Sequence, residues 1–464
     1  MPQSHDDLQH AAHEHLLLQF ARNGAFGPDA TELLVIERGE GPYVYDTRGR
    51  RYLDGLSSMF CCQIGYSYGA EMAEAASEQL ERLAFNTVWG TAHPQAIELA
   101  ERLGHLAPDG IDKVFFTSGG SESVEAAWKL ARLFHIANGE PERRKAISRR
   151  TAYHGVTLGA LAFTGVDAFK EPFGPPAIPV RHVSNTNAFR NPDQGAAMTS
   201  TLLAEIEDGI LAEGPETVAM VIAEPVQNAG GCLPPPEGYW AGLREICDRY
   251  GVLLLADEVI TGCGRLGEWF GVTRYDAVPD LITIAKGLTS AYAPMGAVLV
   301  AERVAEPLYE AGRTLLHGIT FAGHPLAAAI ANRNIEIFER DGVLENVRAN
   351  ESYLRDRLQE LRGLPIVGDV RGAGYFWAVE MVSDGRDGRF DAQEREELLR
   401  RFMPRRLLEQ GLIARGDDRG DAVLQVAPPL ISDRSVLDEL VDSMAAVLAD
   451  AGRHMNVTSE TEAA

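Results

Sequence analysis

Cysteine is scarce in this chain. Five cysteines occur in 464 residues, Cys61, Cys62, Cys232, Cys247 and Cys263, and none belongs to a Cys-x-x-Cys pair. An odd number of cysteines without that spacing supports neither a disulfide framework nor a structural zinc site. We therefore expect reduced thiols, which proteins usually bury as small apolar side chains.

Long hydrophobic runs are also missing, and basic residues are outnumbered. No segment approaches the roughly 18 to 20 apolar residues that a membrane helix needs. The start Met-Pro-Gln-Ser-His-Asp-Asp lacks the basic and then apolar pattern of a secretory signal. With 43 basic and 67 acidic residues the net charge is −24, which repels phosphate backbones and anionic membranes. We expect a cytoplasmic protein that binds neither nucleic acid nor membranes.

Apolar residues are plentiful enough for a large core. The length of 464 residues favours two or three structural units, and the 45% hydrophobic content is ample for the core of a globular enzyme. His10 and His13 lie on one face of a terminal helix and could bind a metal. No supporting cluster lies nearby, so a solvated amphipathic helix is favoured and no metal site is predicted.

Short apolar runs alternate with helical patterns along most of the chain. Residues 41–55 are typical of two short strands joined by a turn. Further apolar runs follow at 114–116, 218–223, 252–256, 281–285 and 297–300. Runs of this kind are typical of strands buried on both faces of a mostly parallel sheet that helices cover. We predict an α/β fold.

The same pattern predicts the domain organisation. A large domain covers residues 66–325, and a smaller α+β domain covers residues 326–464. The N-terminal segment, residues 1–65, is expected to belong to the smaller domain. The polar tail from Asn456 onward is expected to be frayed.

Two residues at the ends of predicted strands carry most of the chemistry. Asp257 follows the apolar run 252–256, and Lys286 follows the run 281–285. Ligands of open α/β sheets bind outside the carboxyl ends of the strands, so the two side chains can hold a pyridine ring between them. The lysine amine would form a Schiff base with the aldehyde of pyridoxal phosphate, and the carboxylate would pair with the pyridinium nitrogen. Taken singly, they could be an acid that caps a turn and a lysine that faces solvent.

A glycine turn offers a site for the cofactor phosphate. Gly119, Gly120 and Ser121 lie between a predicted strand and a predicted helix. Glycine lets the backbone approach a ligand, and the free amides of a helix start attract phosphate. The turn matches neither Gly-x-Gly-x-x-Gly nor the P-loop, which disfavours dinucleotides and nucleoside triphosphates. Downstream, Tyr153 could stack on a flat cofactor, although a core tyrosine is the simpler interpretation.

From about Gly41 to Leu430 the chain resembles the class III pyridoxal phosphate-dependent aminotransferases of fold type I. The motifs that carry this resemblance are Leu53-Asp54-Gly55, the stretch 117–122, Tyr153-His154-Gly155, the stretch 223–227, the stretch 255–262, Ala285-Lys286-Gly287 and the stretch 317–321. The glycine turn departs from the Asn-Ser-Gly-Ser-Glu-Ala-Asn of many relatives, but Ser121 keeps its place.

The resemblance assigns roles to these positions. It implies that Lys286 forms the Schiff base and carries the proton, that Asp257 binds the ring nitrogen, and that Tyr153 stacks on the ring. Gly120 and Ser121 would hold the phosphate, with Glu224 and Val259 among the cofactor-binding residues. Thr320 would reach the phosphate of the neighbouring subunit, so the site would lie at a homodimer interface and a monomer should be inactive.

Two positions indicate a branch of this family. Relatives that use glutamate or 2-oxoglutarate typically have a glutamine and a glutamate where this chain has Ile260 and Ala229. The chain is more similar to the ω-transaminase, or amine:pyruvate, branch, in which a mobile arginine binds the keto acid carboxylate. Arg415 aligns with that arginine, and Arg419 is a rival.

Aromatic residues complete the expected substrate pocket. Similarity to relatives places Phe60 and Trp89 in it together with Tyr153 and Arg415. Phe60 stands where many relatives have tryptophan, which changes the pocket volume. The resemblance implies a homodimeric transaminase that moves an amino group from a primary amine or ω-amino acid to pyruvate through a ping-pong cycle. A 2-oxoglutarate-linked aminotransferase, an aminomutase, or a cofactor-binding protein without turnover are the alternatives.

Overall fold

A computed structural model describes residues 4–27, 31–309 and 314–458. The strands are β1 (Ile36–Glu40), β2 (Tyr43–Asp46), β3 (Arg51–Asp54), β4 (Ile111–Thr117), β5 (Lys145–Arg149), β6 (Val180–Val183), β7 (Val218–Ala223), β8 (Leu253–Asp257), β9 (Leu281–Ile284), β10 (Gly296–Ala301), β11 (Val367–Ala373), β12 (Phe376–Met381), β13 (Leu412–Ile413), β14 (Arg415–Asp417) and β15 (Val423–Val426). The tail expected to be frayed lies outside the described residues from residue 459 onward.

Helices connect these strands. They are α1 (His5–His15), α2 (Ser57–Phe60), α3 (Gly69–Arg82), α4 (Pro94–Leu106), α5 (Gly120–Ala137), α6 (Leu158–Phe163), α7 (Asp167–Lys170), α8 (Gly195–Glu213), α9 (Tyr239–Tyr250), α10 (Glu302–Ala305), α11 (Pro325–Arg340), α12 (Val343–Gln359), α13 (Ala392–Glu396), α14 (Met403–Glu409) and α15 (Arg434–His454). A π-helical stretch, Glu397–Phe402, joins α13 to α14. Within the described ranges, no helix is long and apolar enough to cross a membrane.

A seven-stranded sheet forms the centre of the molecule. Its strand order is β4-β10-β9-β8-β7-β5-β6. The pairs from β9 to β6 are parallel, whereas β10 is antiparallel to both neighbours. The short connection between Ile284 and Gly296 has no room for the crossover helix that a parallel pair needs, so β10 runs in the opposite direction. This confirms the predicted α/β fold with a mostly parallel sheet.

Two of the central strands were not predicted from the sequence. Strands β5 and β6 have the sequences Lys-Ala-Ile-Ser-Arg and Val-Arg-His-Val. Basic residues interrupt their apolar residues, so neither strand contains the continuous apolar run that predicts a buried strand. Strands β7 and β8, by contrast, are buried at every position, and α5, α8 and α9 pack against the sheet. The long core helices and apolar strands therefore hold the strand ends that carry the site in fixed positions.

Strand pairing joins the two ends of the chain. The hairpin of β2 and β3 forms as the sequence predicts, and β3 pairs in parallel with β13 through Leu53 and Leu412. A separate sheet has the order β11-β12-β15-β14. The domain boundaries near residues 65 and 325 stay a prediction.

Helix α2 is an unusual left-handed turn. Its residues, Ser57, Ser58, Met59 and Phe60, all have φ between 45° and 68°. Left-handed helical conformation costs about 1–2 kcal/mol for each non-glycine residue. Asp54 offsets part of this cost, because its carboxylate accepts hydrogen bonds from the backbone N–H groups of Leu56 (3.2 Å) and Ser58 (2.7 Å).

Candidate active site

Strand ends of the central sheet meet at one open cleft of about 570 Å³. Asp257 ends β8, Lys286 follows β9, and Glu224 follows β7. Ligands in open α/β sheets bind at this edge. The cleft is lined by Gly120, Ser121, Tyr153, His154, Gly155, Glu224, Val226, Asp257, Val259, Ile260, Thr261 and Lys286. The structure thus brings together the two residues on which the sequence prediction depends.

Asp257 is buried and held by several donors. Its Oδ2 lies 2.6 Å from Nδ1 of His154, and its Oδ1 accepts hydrogen bonds from the Thr283 hydroxyl (3.1 Å) and the Val259 N–H (3.2 Å). Within the described ranges, Nε2 of His154 is buried without a partner. The carboxylate is therefore fixed in orientation, and it presents negative charge at the cleft wall.

Lys286 occupies a strained backbone position beside this carboxylate. Its φ of 36° is rare for a residue with a side chain, and such strain collects at functional sites. Burial lowers the pKa of its amine, although Cys61, Asp257 and Glu224 oppose this shift. A lowered pKa increases the neutral fraction of the amine, which is the nucleophilic form.

The start of α5 has the shape of an anion cradle. A Cβ at Gly120 would lie 2.9 Å from Val259 Cγ1, and a Cβ at Gly155 would lie 2.3 Å from the Ser121 hydroxyl oxygen. Only glycine leaves this space open. The free N–H groups of the α5 N-terminus can bind phosphate here. Gly119, also predicted for this role, precedes the helix in extended conformation and does not line the cleft.

Tyr153 and Glu224 form another part of the wall. The backbone N–H of Tyr153 donates to Glu224 Oε1 at 3.4 Å, and Asn228 N–H donates to Glu224 Oε2 at 2.9 Å. Burial raises the pKa of Glu224. The Tyr153 ring also meets Phe169 edge-on, with 6.4 Å between centroids. This aromatic ring is positioned to cover a flat ligand.

The two rival arginines differ in their partners. Arg419 forms an ion pair with Asp417. Arg415 has no hydrogen bond or ion pair to any residue of the described ranges. Burial lowers the pKa of the Arg415 guanidinium, and the neighbouring charge of Arg419 adds to this shift. Arg415 therefore has donors available for a ligand.

The remaining predicted residues lie outside the cleft lining. Phe60 is buried and packs edge-on against Phe376 at 5.6 Å between ring centroids. It belongs to a core cluster with Val226 and Ile260, which do line the cleft, so Phe60 lies behind the wall. Trp89 is 58% exposed and Thr320 is also exposed.

Sequence reasoning missed His154 as a site residue. Its partner Asp257 is distant in sequence, and no spacing rule joins them. Its position directly after Tyr153, the predicted stacking residue, could have indicated that His154 lies at the site. Thr283, which also holds Asp257, lies within a buried strand and gave no signal.

The chain is similar to known proteins along most of its length. The family model described as Aminotransferase class-III matches residues 26–448. A Mycobacterium tuberculosis protein named a probable aminotransferase is 47% identical, over 98% of this chain and 97% of its own length. The putrescine–pyruvate aminotransferase of Pseudomonas aeruginosa and the diaminobutyrate–2-oxoglutarate transaminase of Halomonas elongata are each 38% identical, over 88% of both chains.

Solved structures give the same result for the fold. An (S)-enantioselective omega-transaminase from Thermomicrobium roseum is similar with a TM-score of 0.92 and 40% identity, over 97% of this chain and 100% of that one. The omega transaminase of Pseudomonas jessenii, solved in complex with PMP, is similar with a TM-score of 0.89 and 34% identity, over 97% and 100%.

Proposed function

Because the chain belongs to the class III aminotransferases, pyridoxal phosphate-dependent enzymes of fold type I, we propose that it transfers an amino group from a primary amine or ω-amino acid to pyruvate. The observation that carries this proposal is the meeting of Asp257 and Lys286 at one cleft. Arg415, which has no ion pair to any described residue, is near enough to influence the pKa of the Lys286 amine, which burial lowers. The reaction would follow a ping-pong cycle, in which the amine donor gives up its amino group and leaves as a carbonyl product before the keto acid binds and accepts that group.

The cleft residues fit the cofactor. When bound, pyridoxal phosphate supplies an electron sink for the carbon next to the transferred nitrogen. Asp257 would pair with the ring nitrogen, Tyr153 would cover the ring, and Gly120 with Ser121 would hold the phosphate. Glu224 and Val259 would complete the cofactor site. The glycine at 120 supports the phosphate assignment, because a Cβ there would meet Val259.

Lys286 has two tasks in this proposal. Its neutral amine would bind the cofactor aldehyde covalently, and after release by the substrate it would move a proton to and from the substrate carbon. Burial lowers the pKa of the amine and so favours the neutral form. The carboxylate of Asp257 lines the same cleft, and together with Cys61 it opposes this shift of the amine pKa.

Pyruvate is favoured over 2-oxoglutarate by the side chains at two positions. Ile260 lines the cleft, and Ala229 is fully buried. Neither side chain can hold an arginine away from the substrate, as a carboxylate at position 229 would. The putrescine–pyruvate relative supports this acceptor. The diaminobutyrate–2-oxoglutarate relative has equal identity and keeps the 2-oxoglutarate alternative open.

A screen of donors and acceptors tests the proposed function. The purified holoenzyme would be given primary amines, diamines and ω-amino acids, each with pyruvate or 2-oxoglutarate, and alanine or glutamate formation would be measured. We expect alanine from at least one amine that lacks a carboxylate. Glutamate formation with no alanine from any donor would contradict the pyruvate proposal and support the alternative.

Replacing Arg415 with Met should weaken keto acid binding selectively. A charge-assisted hydrogen bond contributes about 1.5–3 kcal/mol, so we expect kcat/KM for pyruvate to fall roughly 10- to 100-fold. The half-reaction with an amine that lacks a carboxylate should change little, because it makes no use of the guanidinium. Arg405→Met is the matched control, since Arg405 is 70% exposed on α14. Equal losses in both half-reactions would contradict this role.

An exposed apolar face supports a homodimer. We define this face by Phe85, Trp89, Leu316 and Phe321, which are 39%, 58%, 83% and 61% exposed. The rings of Phe85 and Phe321 are in contact at 5.7 Å between centroids. Exposed patches of this kind mark interaction sites. Thr320 lies within the same face. If a second copy docked there, the Thr320 hydroxyl of one subunit would lie near the cofactor phosphate of the other.

Leu316→Glu should dissociate the proposed dimer. In a symmetric interface each residue occurs twice, so two buried leucines lose about 3–6 kcal/mol and the dissociation constant rises roughly 10²- to 10⁴-fold. Sedimentation velocity across a concentration series would measure this, together with activity. Leu211→Glu, on the half-exposed side of α8, should leave mass and activity unchanged. A fully active Leu316→Glu monomer would contradict a shared site.

A further inference from the structure

Charged side chains stand at every second position along β14 and the turn after it, at Arg415, Asp417 and Arg419, and Asp418 lies in the same turn. Arg415 and Asp417 are the first and last residues of β14, which pairs with β15, and Arg419 follows two positions later. Residues two apart in a strand lie on the same face. Arg415 and Asp417 therefore project from the same side of β14, with a glycine between them.

Asp417 holds Arg419 through several contacts. Nε of Arg419 lies 2.8 Å from Oδ1 and 3.0 Å from Oδ2, and the backbone N–H of Arg419 donates to Oδ1 at 3.0 Å. Nη2 of Arg419 also contacts Oδ2. The Asp417 side chain is 2% exposed and the Arg419 side chain 6%. Burial tends to raise the pKa of Asp417, but the Arg419 cation outweighs it and holds that pKa below its usual range.

This pair lies at the edge of the cleft. The guanidinium carbon of Arg419 is 5.6 Å from the centroid of the Tyr153 ring, and Tyr153 lines the cleft. Burial raises the pKa of Tyr153, and both Arg419 and Arg415 are near enough to oppose this shift. Two arginines therefore approach one aromatic wall, and only Arg419 is neutralised by an ion pair within the described ranges.

We propose that Asp417 is a specificity-determining residue. By neutralising Arg419, it leaves Arg415 as the one arginine beside Tyr153, among the described residues, that is free to bind a substrate carboxylate. The site would then accept keto acids with one carboxylate and discriminate against those with two. A second carboxylate would lose its hydration on entering the site and would find no free cation to pair with. The desolvation of an unpaired charge is costly in free energy. This inference rests on the proposed function, since it concerns the acceptor of the same cleft.

Asp417→Asn tests the inference with almost no change in shape. The amide keeps the size of the side chain but removes its charge, so the Arg419 cation becomes available to a second carboxylate. We expect the ratio of kcat/KM for 2-oxoglutarate to that for pyruvate to rise roughly 10- to 100-fold, as a new charge-assisted hydrogen bond allows. Asp418→Asn is the matched control, because Asp418 pairs with Arg400 on the surface and should leave the ratio unchanged.

The double variant Asp417→Asn with Arg419→Gln separates specificity from structure. If Arg419 provides the new binding, the double variant should return the acceptor ratio to its wild-type value. A merely structural role of Asp417 predicts equal losses for both acceptors in both variants, and that result would overturn the inference.

A binding measurement adds a readout that needs no turnover. Glutarate and butyrate have two and one carboxylates and no keto group, so the holoenzyme cannot transaminate them. We expect glutarate to raise the melting temperature of Asp417→Asn more than that of the wild type, whereas butyrate should stabilise both proteins equally. Equal stabilisation of the two proteins by glutarate would contradict the inference.

A single variant, Arg419→Gln, covers the case in which Asp417→Asn does not fold. Asp417 would lose its partner and could pair with Arg415, so KM for pyruvate should rise severalfold while the amine half-reaction is unchanged. An unchanged KM would overturn the inference. A wild-type enzyme that uses 2-oxoglutarate but not pyruvate would instead refute the proposed function, and the glutarate and butyrate measurement still reports on Asp417 separately.

Discussion

Replacing Lys286 with Ala is expected to abolish covalent attachment of pyridoxal phosphate and to lower turnover by at least ~10²–10⁴-fold, the range supplied by one positioned proton carrier. The physical reason is that, among the residues that the structure describes, no other lysine lines the cleft. The other lysines of the chain are Lys113, Lys129, Lys145 and Lys170. Borohydride reduction of the holoenzyme followed by peptide mass analysis would locate the attachment.

Lys145→Ala is the matched control for this prediction. Lys145 is a half-buried lysine that pairs with Glu213 at 3.1 Å, away from the cleft. Its loss should cost some stability and leave attachment and turnover intact. Covalent label found on any peptide other than the one with Lys286, or turnover that survives in Lys286→Ala, would remove Lys286 from its proposed role.

Asp257→Asn has the second largest expected effect. An amide cannot stabilise a protonated ring nitrogen, and it also loses the charge that faces His154 at 2.6 Å. We expect kcat/KM of both half-reactions to fall by about 10²–10³-fold, as when one preorganised electrostatic group is removed from a site. Single-turnover measurements with an amine and then with pyruvate would show the loss in each half.

Asp280→Asn provides the comparison for a buried aspartate outside the cleft. Asp280 accepts a hydrogen bond from the Leu254 N–H at 2.7 Å and pairs with Arg244 at 2.9 Å. Removing its charge should lower the melting temperature without lowering turnover of the folded enzyme. If Asp257→Asn behaved in the same way, with lower stability and unchanged turnover, its electrostatic role would be excluded.

The sequence predicts the parts of the site that local patterns encode. Asp257 and Lys286 end strongly apolar strands, and strand ends of such sheets meet at one edge, so their meeting followed from the pattern. The glycine turn before α5 is also predicted by a local pattern, because its glycines lie between an apolar strand and an amphipathic helix. Strands β5 and β6 are not predicted, because they are short and charged residues interrupt them.

The sequence does not predict interactions between residues that are far apart along the chain. Nothing in the spacing of His154 and Asp257 indicates that they form a buried pair. Arg419 is held by Asp417 in an ion pair that forms at the turn after β14, and no sequence pattern indicates this pair. The left-handed turn of α2 places Phe60 behind the cleft wall, and no local preference predicts four consecutive residues with positive φ.

A two-step experiment tests the proposed transfer of an amino group to pyruvate most directly. The wild-type holoenzyme would be treated with an amine donor until the absorbance of the cofactor changes to that of its pyridoxamine form, freed of excess donor, and divided between pyruvate and 2-oxoglutarate. We expect pyruvate to restore the original absorbance and to yield one alanine per site, while 2-oxoglutarate restores little. Rapid recovery with 2-oxoglutarate and none with pyruvate would contradict the proposed acceptor.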